Sequence, residues 1–291
     1  MRERLFQWST RVGVPVNKLT NKLGSEAWWP STLDIECDKA ARILQSFASM
    51  SNNPNTPKQP AGPKQKPKVL VKIPQKAIES AAGLAIFTTF RTGLHISGAG
   101  GSGVLVARSA DGTSWSPPSG FLVHTLGAGF MVGLDIYDCV CVLRTPEAVA
   151  AFTRPRLSLG GEVGLVAGPV GAGAAVDAAL LKSTKPVWGY VKSRGFYAGV
   201  QADGTVIISR PDANAAFYGA KGVKVDQILK GNVPAQGPEG MWPGGARRLM
   251  EVLKSAEGRR DVNEGLLKEV GAGPTPGDLG LEDEGARDGN E

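Results

Sequence analysis

Glycine alternates with small and apolar residues in three long stretches of this chain, and that pattern constrains the fold more than any other feature. The stretches are residues 95–108, 126–135 and 159–177, in a chain of 291 residues with 39 glycines. β-Branched residues lie among the glycines, which favours strands. Glycine inside a strand permits bends and close backbone approach. We therefore predict a strongly coiled, glycine-rich sheet.

Gly98, Gly100 and Gly103 have the Gly-x-Gly-x-x-Gly spacing of a dinucleotide-binding loop. That loop requires a helix immediately after it, because the N-terminus of the helix holds the pyrophosphate. Here Val-Leu-Val-Ala follows, and then an Asp-Gly turn at 111–112, which together predict a strand and a hairpin. We interpret the glycines as sheet architecture and predict no cofactor.

The remaining elements predict an α+β fold with a mainly antiparallel coiled β-sheet, short flanking helices and an N-terminal amphipathic helix. A second Asp-Gly pair, at 203–204, predicts another hairpin turn. A short helix is expected after Pro74, ending near the glycines or running into a strand, with further helices at 145–154 and 244–260. The strand-like segments are 94–108, 119–126, 129–143, 157–168, 172–181, 187–192, 196–201 and 205–210.

The N-terminal quarter of the chain is organised differently. Residues 31–50 predict an amphipathic helix, with Lys39 and Arg42 lying off its apolar stripe. Residues 51–68 are polar, rich in proline and free of acidic residues, which predicts a linker. We divide the chain into an extension (1–30), the helix (31–50), the linker (51–68), the main domain (69–270) and an acidic, disordered tail (271–291).

Positive charge is concentrated ahead of the main domain. Residues 1–76 hold 13 Lys and Arg against 5 Asp and Glu, whereas the tail holds 1 against 6. This asymmetry predicts an anionic partner. A basic amphipathic helix flanked by tryptophans is typical of a membrane-surface binder; the alternative is that the helix only packs its stripe onto the domain. The candidate binding residues are Trp28, Trp29, Lys39, Arg42, Lys64, Lys66, Lys68 and Lys72.

Motifs for catalysis or metal binding are scarce, and no metal site is predicted. His95 and His124 stand in no recognisable triad or zinc spacing. The alternative is a lipid or small-molecule pocket with hydrolytic or cation-dependent activity, in which His124 and the nearby carboxylates converge on one cavity. Those carboxylates are Asp135, Glu162 and Asp177.

Cysteine content and hydropathy bear on the compartment. The three cysteines, Cys37, Cys139 and Cys141, are too few for a disulfide framework and fit a reduced, cytoplasmic setting. We find neither a secretory signal nor an apolar run long enough to span a membrane as a helix. Nucleic acid is not an expected partner, because the chain has no basic-aromatic platform or recognition-helix pattern.

Several motifs together resemble the SYLF domain family. They include "IPQKAIESAAGLAIFTTFRTGLHISGAGGSGVLVAR" (73–108), "WSPPSGFLVHTLGAGFMVGLD" (115–135), "LSLGGEVGLVAGPVG" (157–171) and the helix "LDIECDKAARILQSF" (33–47). The resemblance covers roughly residues 15 to 260. It implies a non-enzymatic phosphoinositide- and actin-binding protein of actin patches, endocytosis or membrane trafficking. Such a protein is cytoplasmic and peripheral at the plasma membrane, cortical actin patches or endosomes.

The resemblance also assigns lipid and actin contacts to the N-terminal basic helix, which here nominates Lys39 and Arg42. We recognise neither an SH3 nor a FYVE domain in this chain. If SH3 contact exists, the Pro-rich linker is the expected ligand, through Pro54 to Pro57 and Pro60 to Pro63. Reversing the charges of Lys39 and Arg42 is expected to weaken binding and to leave folding intact.

Overall fold

The computed structural model describes residues 29–48, 72–93, 96–153, 156–166, 187–273 and 275–276. Within them the α+β fold is confirmed. The five described strands are β1 (Gly83–Gly93), β2 (Ile96–Ala107), β3 (Ser119–Leu143), β4 (Arg156–Val166) and β5 (Val187–Ser209). The helices are α1 (Leu33–Phe47), α2 (Gln75–Glu79), α3 (Pro146–Thr153), α4 (Pro211–Tyr218), α5 (Val225–Leu229), α6 (Met241–Gly244), α7 (Arg247–Ala256) and α8 (Glu264–Ala272), with a 3-10 turn at Pro238–Gly240.

The described strands form one antiparallel sheet in the order β1-β2-β3-β5-β4. One edge of the long strand β3 pairs first with β2, over 119–128, and then with β1, over 133–143. Since β1 also pairs with β2, these three strands close on one another. Such closure needs a strongly coiled sheet. The prediction made from the glycine pattern is confirmed.

Two of the glycines in β2 have no room for a side chain. A Cβ on Gly101 would lie 2.0 Å from the carbonyl oxygen of Thr88, and one on Gly103 would lie 2.1 Å from that of Ile86. By contrast, a Cβ on Gly98 would meet nothing within 4 Å. The glycines of the apparent dinucleotide fingerprint therefore belong to a continuous strand, and Gly103 lets β1 approach closely.

The two Asp-Gly pairs have different outcomes. Asp111-Gly112 forms the predicted turn: Gly112 has φ +71° and Asp111 accepts a 3.0 Å hydrogen bond from the Thr113 amide. The prediction at 203–204 is wrong, because both residues pair with β3 on one side and with β4 on the other. With both edges of the backbone engaged, β5 continues through the pair, and three predicted strands merge into one. The predicted strand 172–181 lies outside the described residues.

Hydrophobic clusters cover both faces of the sheet. The larger one joins α1, α2, α7 and α8 to alternate residues of the strands, such as Ile86, Val104 and Val140. The smaller one places Phe121, Cys141 and Phe152 of α3 on the opposite face. The period-2 alternation of the strands therefore divides their side chains between two cores. Among the described residues, no helix is long and apolar enough to cross a bilayer.

Helix α1 shares the larger core with the residues that follow the Pro-rich segment. Leu44 and Phe47 are fully buried, and Ile73 is buried with them. The Ile73 amide donates a 3.1 Å hydrogen bond to the carbonyl of Phe47, and Ala48 forms a parallel bridge with Ile73. Phe47 and Ala48 thus lie beside Ile73, although residues 49–71 separate them in the sequence.

Candidate functional site

Helix α1 carries two of the four described candidate residues, Lys39 and Arg42. Its start is fixed by a buried carboxylate. Glu36 is only 1% exposed. Its Oε1 accepts hydrogen bonds from the Ser31 amide at 2.8 Å and from the Ser31 hydroxyl at 2.9 Å. A carboxylate in the first turn also complements the positive end of the helix dipole. Glu36 therefore fixes the chain entering the helix.

Lys39 is buried, contrary to its expected place on the polar side of the helix. It is 5% exposed, and its Nζ lies 3.0 Å from Oε1 of Glu36 and 3.4 Å from the carbonyl oxygen of Trp29. The physical reason is that the sheet and other helices cover more of α1 than its apolar stripe. The ammonium group therefore binds acceptors inside the fold, those of Glu36 and Trp29. A lipid or actin role for Lys39 stays a prediction.

The same carboxylate joins α1 to the glycine-rich strand. The Ser102 hydroxyl donates a 2.9 Å hydrogen bond to Oε1 of Glu36. Arg210, at the start of α4, brings its Nη1 to 3.7 Å from that oxygen. Burial lowers the pKa of Arg210, although the charge of Glu36 opposes this effect. Sequence reasoning missed this cluster of Ser31, Glu36, Lys39, Ser102 and Arg210, since no local motif links such distant positions.

Arg42 lies one turn beyond Lys39 in the helix, against Gly273 in the C-terminal part of the chain. It is half-buried, and its Nε has no hydrogen-bond partner among the described residues. A Cβ built on Gly273 would stand 2.9 Å from Cδ of Arg42 and 3.8 Å from its Nη1. Lys39 and Arg42, predicted to form one basic face, therefore have different environments.

The other predicted contacts divide between the surface and the residues outside the described ranges. Trp29 is 55% exposed and Lys72 is exposed. Trp28, Lys64, Lys66 and Lys68 lie outside the described residues. Sequence reasoning passed over three further exposed lysines near α5, which are Lys221, Lys224 and Lys230. The sequence signal that could have indicated them is the spacing of these lysines by three and six residues, with glycines next to two of them.

A groove of about 570 Å³ opens beside the start of α1. Leu33, Phe217 and Met241 supply apolar walls, and Arg210 and Glu239 supply charge. Sequence reasoning did not find it, because its walls come from three separate segments.

The described residues of the alternative pocket do not come together. The sheet register places His124 and Asp135 of β3 opposite Val206 and Gly195 of β5, and Glu162 of β4 opposite Gln201, so the three positions are well separated along β5. His124 is exposed, and His95 and Asp177 lie outside the described residues. Among the described residues, no cluster of three or more His, Cys, Asp or Glu side chains could hold a metal ion.

All three cysteines lie in the described ranges, and each is buried. The sulfurs of Cys139 and Cys141 are 3.7 Å apart on one face of β3. Cys37 lies within α1, where burial raises the pKa of its thiol well above the ordinary value, and the neighbouring carboxylates, Glu36 first, add to the shift. Buried thiols with raised pKa values are poor nucleophiles at neutral pH.

These features define an α+β domain in which an N-terminal helix, held by buried charges, packs against a coiled glycine-rich antiparallel sheet. A family model described as "Ysc84: Las17-binding protein actin regulator" matches residues 124–256. The chain carries a domain of this Ysc84, or SYLF, family, and the resemblance drawn from its motifs is confirmed.

Curated relatives extend the match. The chain is 34% identical over 236 residues to SH3 domain-containing YSC84-like protein 1 of Xenopus laevis, covering 81% of this chain and 64% of that one. It is 38% identical to Protein YSC84 of Saccharomyces cerevisiae, over 78% of this chain and 44% of that one. LAS seventeen-binding protein 3 of the same yeast is 40% identical, over 70% and 42%. The chain thus spans about two-fifths to two-thirds of the length of these relatives.

Among solved structures, the virulence-associated protein VapD of Rhodococcus equi aligns with 42% of this chain and 94% of its own. The TM-score is 0.24 and the identity 12%. Likeness at that level carries neither fold nor function to this chain.

Proposed function

We propose that this chain is a cytoplasmic, peripheral membrane adaptor that binds phosphoinositides and actin filaments, without enzymatic activity of its own. Its place would be the plasma membrane, cortical actin patches or endosomes, and its processes actin-patch organisation, endocytosis or membrane trafficking. The family description, an actin regulator, supports the actin part of this proposal. The charge distribution supports an anionic partner.

The observation that carries the proposal is the junction of Phe47 with Ile73. Both ends of segment 49–71 are fixed at one point by the 3.1 Å backbone hydrogen bond between these residues. The segment holds four lysines and no acidic residue, and exposed Lys72 follows it directly. These lysines therefore belong to a stretch of sequence that is tethered to the domain at both ends, at one junction.

Tethering of this kind suits an anionic surface. Each basic residue near an anionic leaflet contributes about 1 kcal/mol, so several acting together give useful affinity. Trp29, exposed on the described surface, has the amphipathic ring that favours the membrane interface. The acidic surface of actin would attract the same lysines. The two Pro-x-x-Pro spacings of this segment make SH3-domain proteins a further proposed partner.

A charge-reversal experiment tests the proposal. The triple variant Lys64→Glu, Lys66→Glu, Lys68→Glu is compared with the intact chain by sedimentation with phosphatidylcholine vesicles containing or lacking phosphoinositide, and with actin filaments. The matched control reverses the same number of lysines elsewhere, as Lys221→Glu, Lys224→Glu, Lys230→Glu.

We expect the first triple variant to lose most of its binding to phosphoinositide vesicles and filaments, and the control to keep it. Equal losses in both variants would show that net charge, rather than the anchored segment, determines binding. If the intact chain sediments with neither vesicles nor filaments, the adaptor proposal fails. Deleting residues 1–72 is unsuitable, because the deletion removes α1 and exposes the larger core.

A second candidate function rests on the groove beside α1. Its apolar walls, with Arg210 at one side, suit a lipid or small molecule that has an anionic group. Saturable binding of a fluorescent fatty acid would favour this candidate, provided that Phe217→Trp weakens the binding. The triple variant Lys64→Glu, Lys66→Glu, Lys68→Glu should leave that binding unchanged.

A further inference from the structure

The groove beside α1 is lined by two charged side chains that lack full partners, Arg210 and Asp34. Within the described part of the chain, Nη1 of Arg210 and Oδ1 of Asp34 are shielded from water and make no hydrogen bond. An unmet donor and an unmet acceptor are each unfavourable, because the hydration that they lose on folding is not replaced. A ligand that offers both kinds of group would relieve both.

Glu36 neutralises Arg210 only in part. Four donors already engage Oε1 of Glu36 at 2.8–3.0 Å, and they belong to Ser31, Lys39 and Ser102. Nη1 of Arg210 lies 3.7 Å from the same oxygen, which is longer than a hydrogen bond. Lys39 is therefore the hydrogen-bonded cation of Glu36, and Arg210 keeps the capacity to bind a further anion.

The carboxylates of the groove weigh against a ligand that carries only negative charge. Asp34 and Glu239 both line the groove with Arg210, and Asp34 forms no ion pair with any residue of the described ranges. A purely anionic ligand would place its charge beside these carboxylates, and like charges brought together in a binding site are unfavourable. A ligand with adjacent negative and positive groups meets an opposite charge at each end. The charges of the groove therefore favour a zwitterion.

The unmet atoms indicate the two headgroups of that zwitterion. Oδ1 of Asp34 needs a donor, and a protonated primary amine has three N–H groups, whereas a quaternary ammonium group has none. A phosphate suits Arg210, because guanidinium groups form strong, charge-assisted hydrogen bonds with phosphate oxygens. A phosphate and a primary ammonium group joined by two carbons form the phosphoethanolamine headgroup.

The apolar walls of the groove indicate what the headgroup is attached to. Leu33, Phe217 and Met241 supply these walls. The volume of about 570 Å³ lies in the range of sites that hold small organic ligands, ~300–1,000 Å³. An acyl chain that leaves water for such walls is stabilised by the hydrophobic effect. The walls and the size together favour a lipid with one chain.

We propose that the groove binds a single-chain phospholipid with a phosphoethanolamine headgroup. Arg210 binds the phosphate, Asp34 binds the ammonium group, and the apolar walls hold the acyl chain. The headgroup assignment rests on the second candidate function above, in which the groove binds a lipid, and it names the class of that lipid. It is independent of the lysines of segment 49–71.

Calorimetric titration with lauroyl lysophosphatidylethanolamine, below its micelle concentration, tests the proposal. Lauroyl lysophosphatidylcholine is the comparison lipid, because it has the same chain and phosphate but no N–H donor. We expect saturable binding of the ethanolamine lipid, tighter than that of the choline lipid by about tenfold or more, which is the effect of one charge-assisted hydrogen bond. Ala216 is exposed on α4 and lines the groove, so Ala216→Phe should abolish the binding of both lipids by filling the site.

Two charge variants test the roles of the headgroup residues. Asp34→Asn should remove most of the difference between the two lipids. Asp38→Asn, which removes a carboxylate of the same helix outside the groove, should keep that difference. Arg210→Gln should weaken both lipids by about tenfold or more, since both carry the phosphate. If Arg210→Gln fails to fold, the comparison of Asp34→Asn with Asp38→Asn still decides the headgroup.

Several results would overturn the proposal. Equal affinity of the wild-type chain for the two lipids, or a difference that Asp34→Asn leaves unchanged, would exclude the phosphoethanolamine headgroup. Binding that survives Ala216→Phe would place the lipid elsewhere on the chain. If the fluorescent fatty acid still binds the groove in these cases, the second candidate function stands without the headgroup assignment. If neither lysolipid nor the fatty acid binds saturably, both fail together.

Discussion

The hydroxyl of Ser102 donates a 2.9 Å hydrogen bond to Oε1 of Glu36, linking residues 66 positions apart in the chain. Ser102 lies in the glycine-rich strand that marks the family, and Glu36 lies in the N-terminal helix. Both side chains are buried. The bond therefore connects the two most distinctive parts of the sequence, and it makes the helix a component of the domain.

Loss of this bond should cost stability. Ser102→Ala removes one of four donors to Oε1 of the buried Glu36 carboxylate, and hydrogen bonds to charged groups contribute about 1.5–3 kcal/mol. We expect the free energy of unfolding, measured by urea titration, to fall by that amount. Ser80→Ala, at an exposed hydroxyl, is the control and should change it by less than about 0.5 kcal/mol. Equal values for the two variants would contradict the role assigned to Ser102.

Charge reversal at Lys39 should destabilise the fold, contrary to the expectation from sequence. Lys39→Glu removes the partner of buried Glu36 and places a second carboxylate beside it, and breaking a buried pair costs about 3–5 kcal/mol. Arg248→Ala breaks the largely exposed pair with Asp38 and should cost less than about 1 kcal/mol. Thermal unfolding followed by circular dichroism compares them. A Lys39→Glu variant as stable as Arg248→Ala would mean that Lys39 is accessible in solution.

Substitution of Gly103 tests the closure of the sheet. A Cβ there would collide with the carbonyl of Ile86 and with Phe87, so Gly103→Ala should destabilise by about 3 kcal/mol. Gly98→Ala, where space is open, should lie within about 0.5 kcal/mol of the wild type. Urea titration of both measures the difference. Tolerance of alanine at both positions would show that β1 and β2 are not closely apposed.

Stability should decline at alkaline pH because of Cys37. Burial raises the pKa of its thiol above the ordinary 9.0, so the unfolded chain ionises first as the pH rises. The contribution is complete below pH 9 and is lost above it, at about 1.4 kcal/mol per pH unit. Cys37→Ala should flatten the slope of the unfolding free energy between pH 9 and 10. An unchanged slope would show that the thiol ionises equally in both states.

The sequence predicted the fold better than the surroundings of its charged residues. Glycine alternation predicted the coiled antiparallel sheet. A side chain restricts how the backbone bends and how closely another strand approaches, and glycine removes that restriction at its own position. The hairpin turn predicted at Asp203-Gly204 was wrong, because strand pairing on both edges of β5 outweighs the local turn preference of this pair. Cross-chain pairing is not visible in a short window of sequence.

The candidate site was only partly predictable. The exposure of Trp29 and Lys72 agrees with the predicted surface roles, which stay predictions. The burial of Lys39 could not be predicted from its helical position, because it depends on how many elements surround α1. The partner of Glu36 was equally hidden, since Ser102 is brought to it only by the closure of the sheet.

The junction of Phe47 and Ile73 has a consequence for how this part of the chain can vary. Closing a loop costs free energy that rises only with the logarithm of its length, about 0.6 kcal/mol for each doubling. The described core contains Phe47 and Ala48 before this segment and Ile73 after it, so we expect the stability of the fold to depend little on the length of the segment. The position between Ala48 and Ile73 is thus a cassette site, where a longer recognition sequence or an inserted reporter domain can be accommodated without rebuilding the sheet.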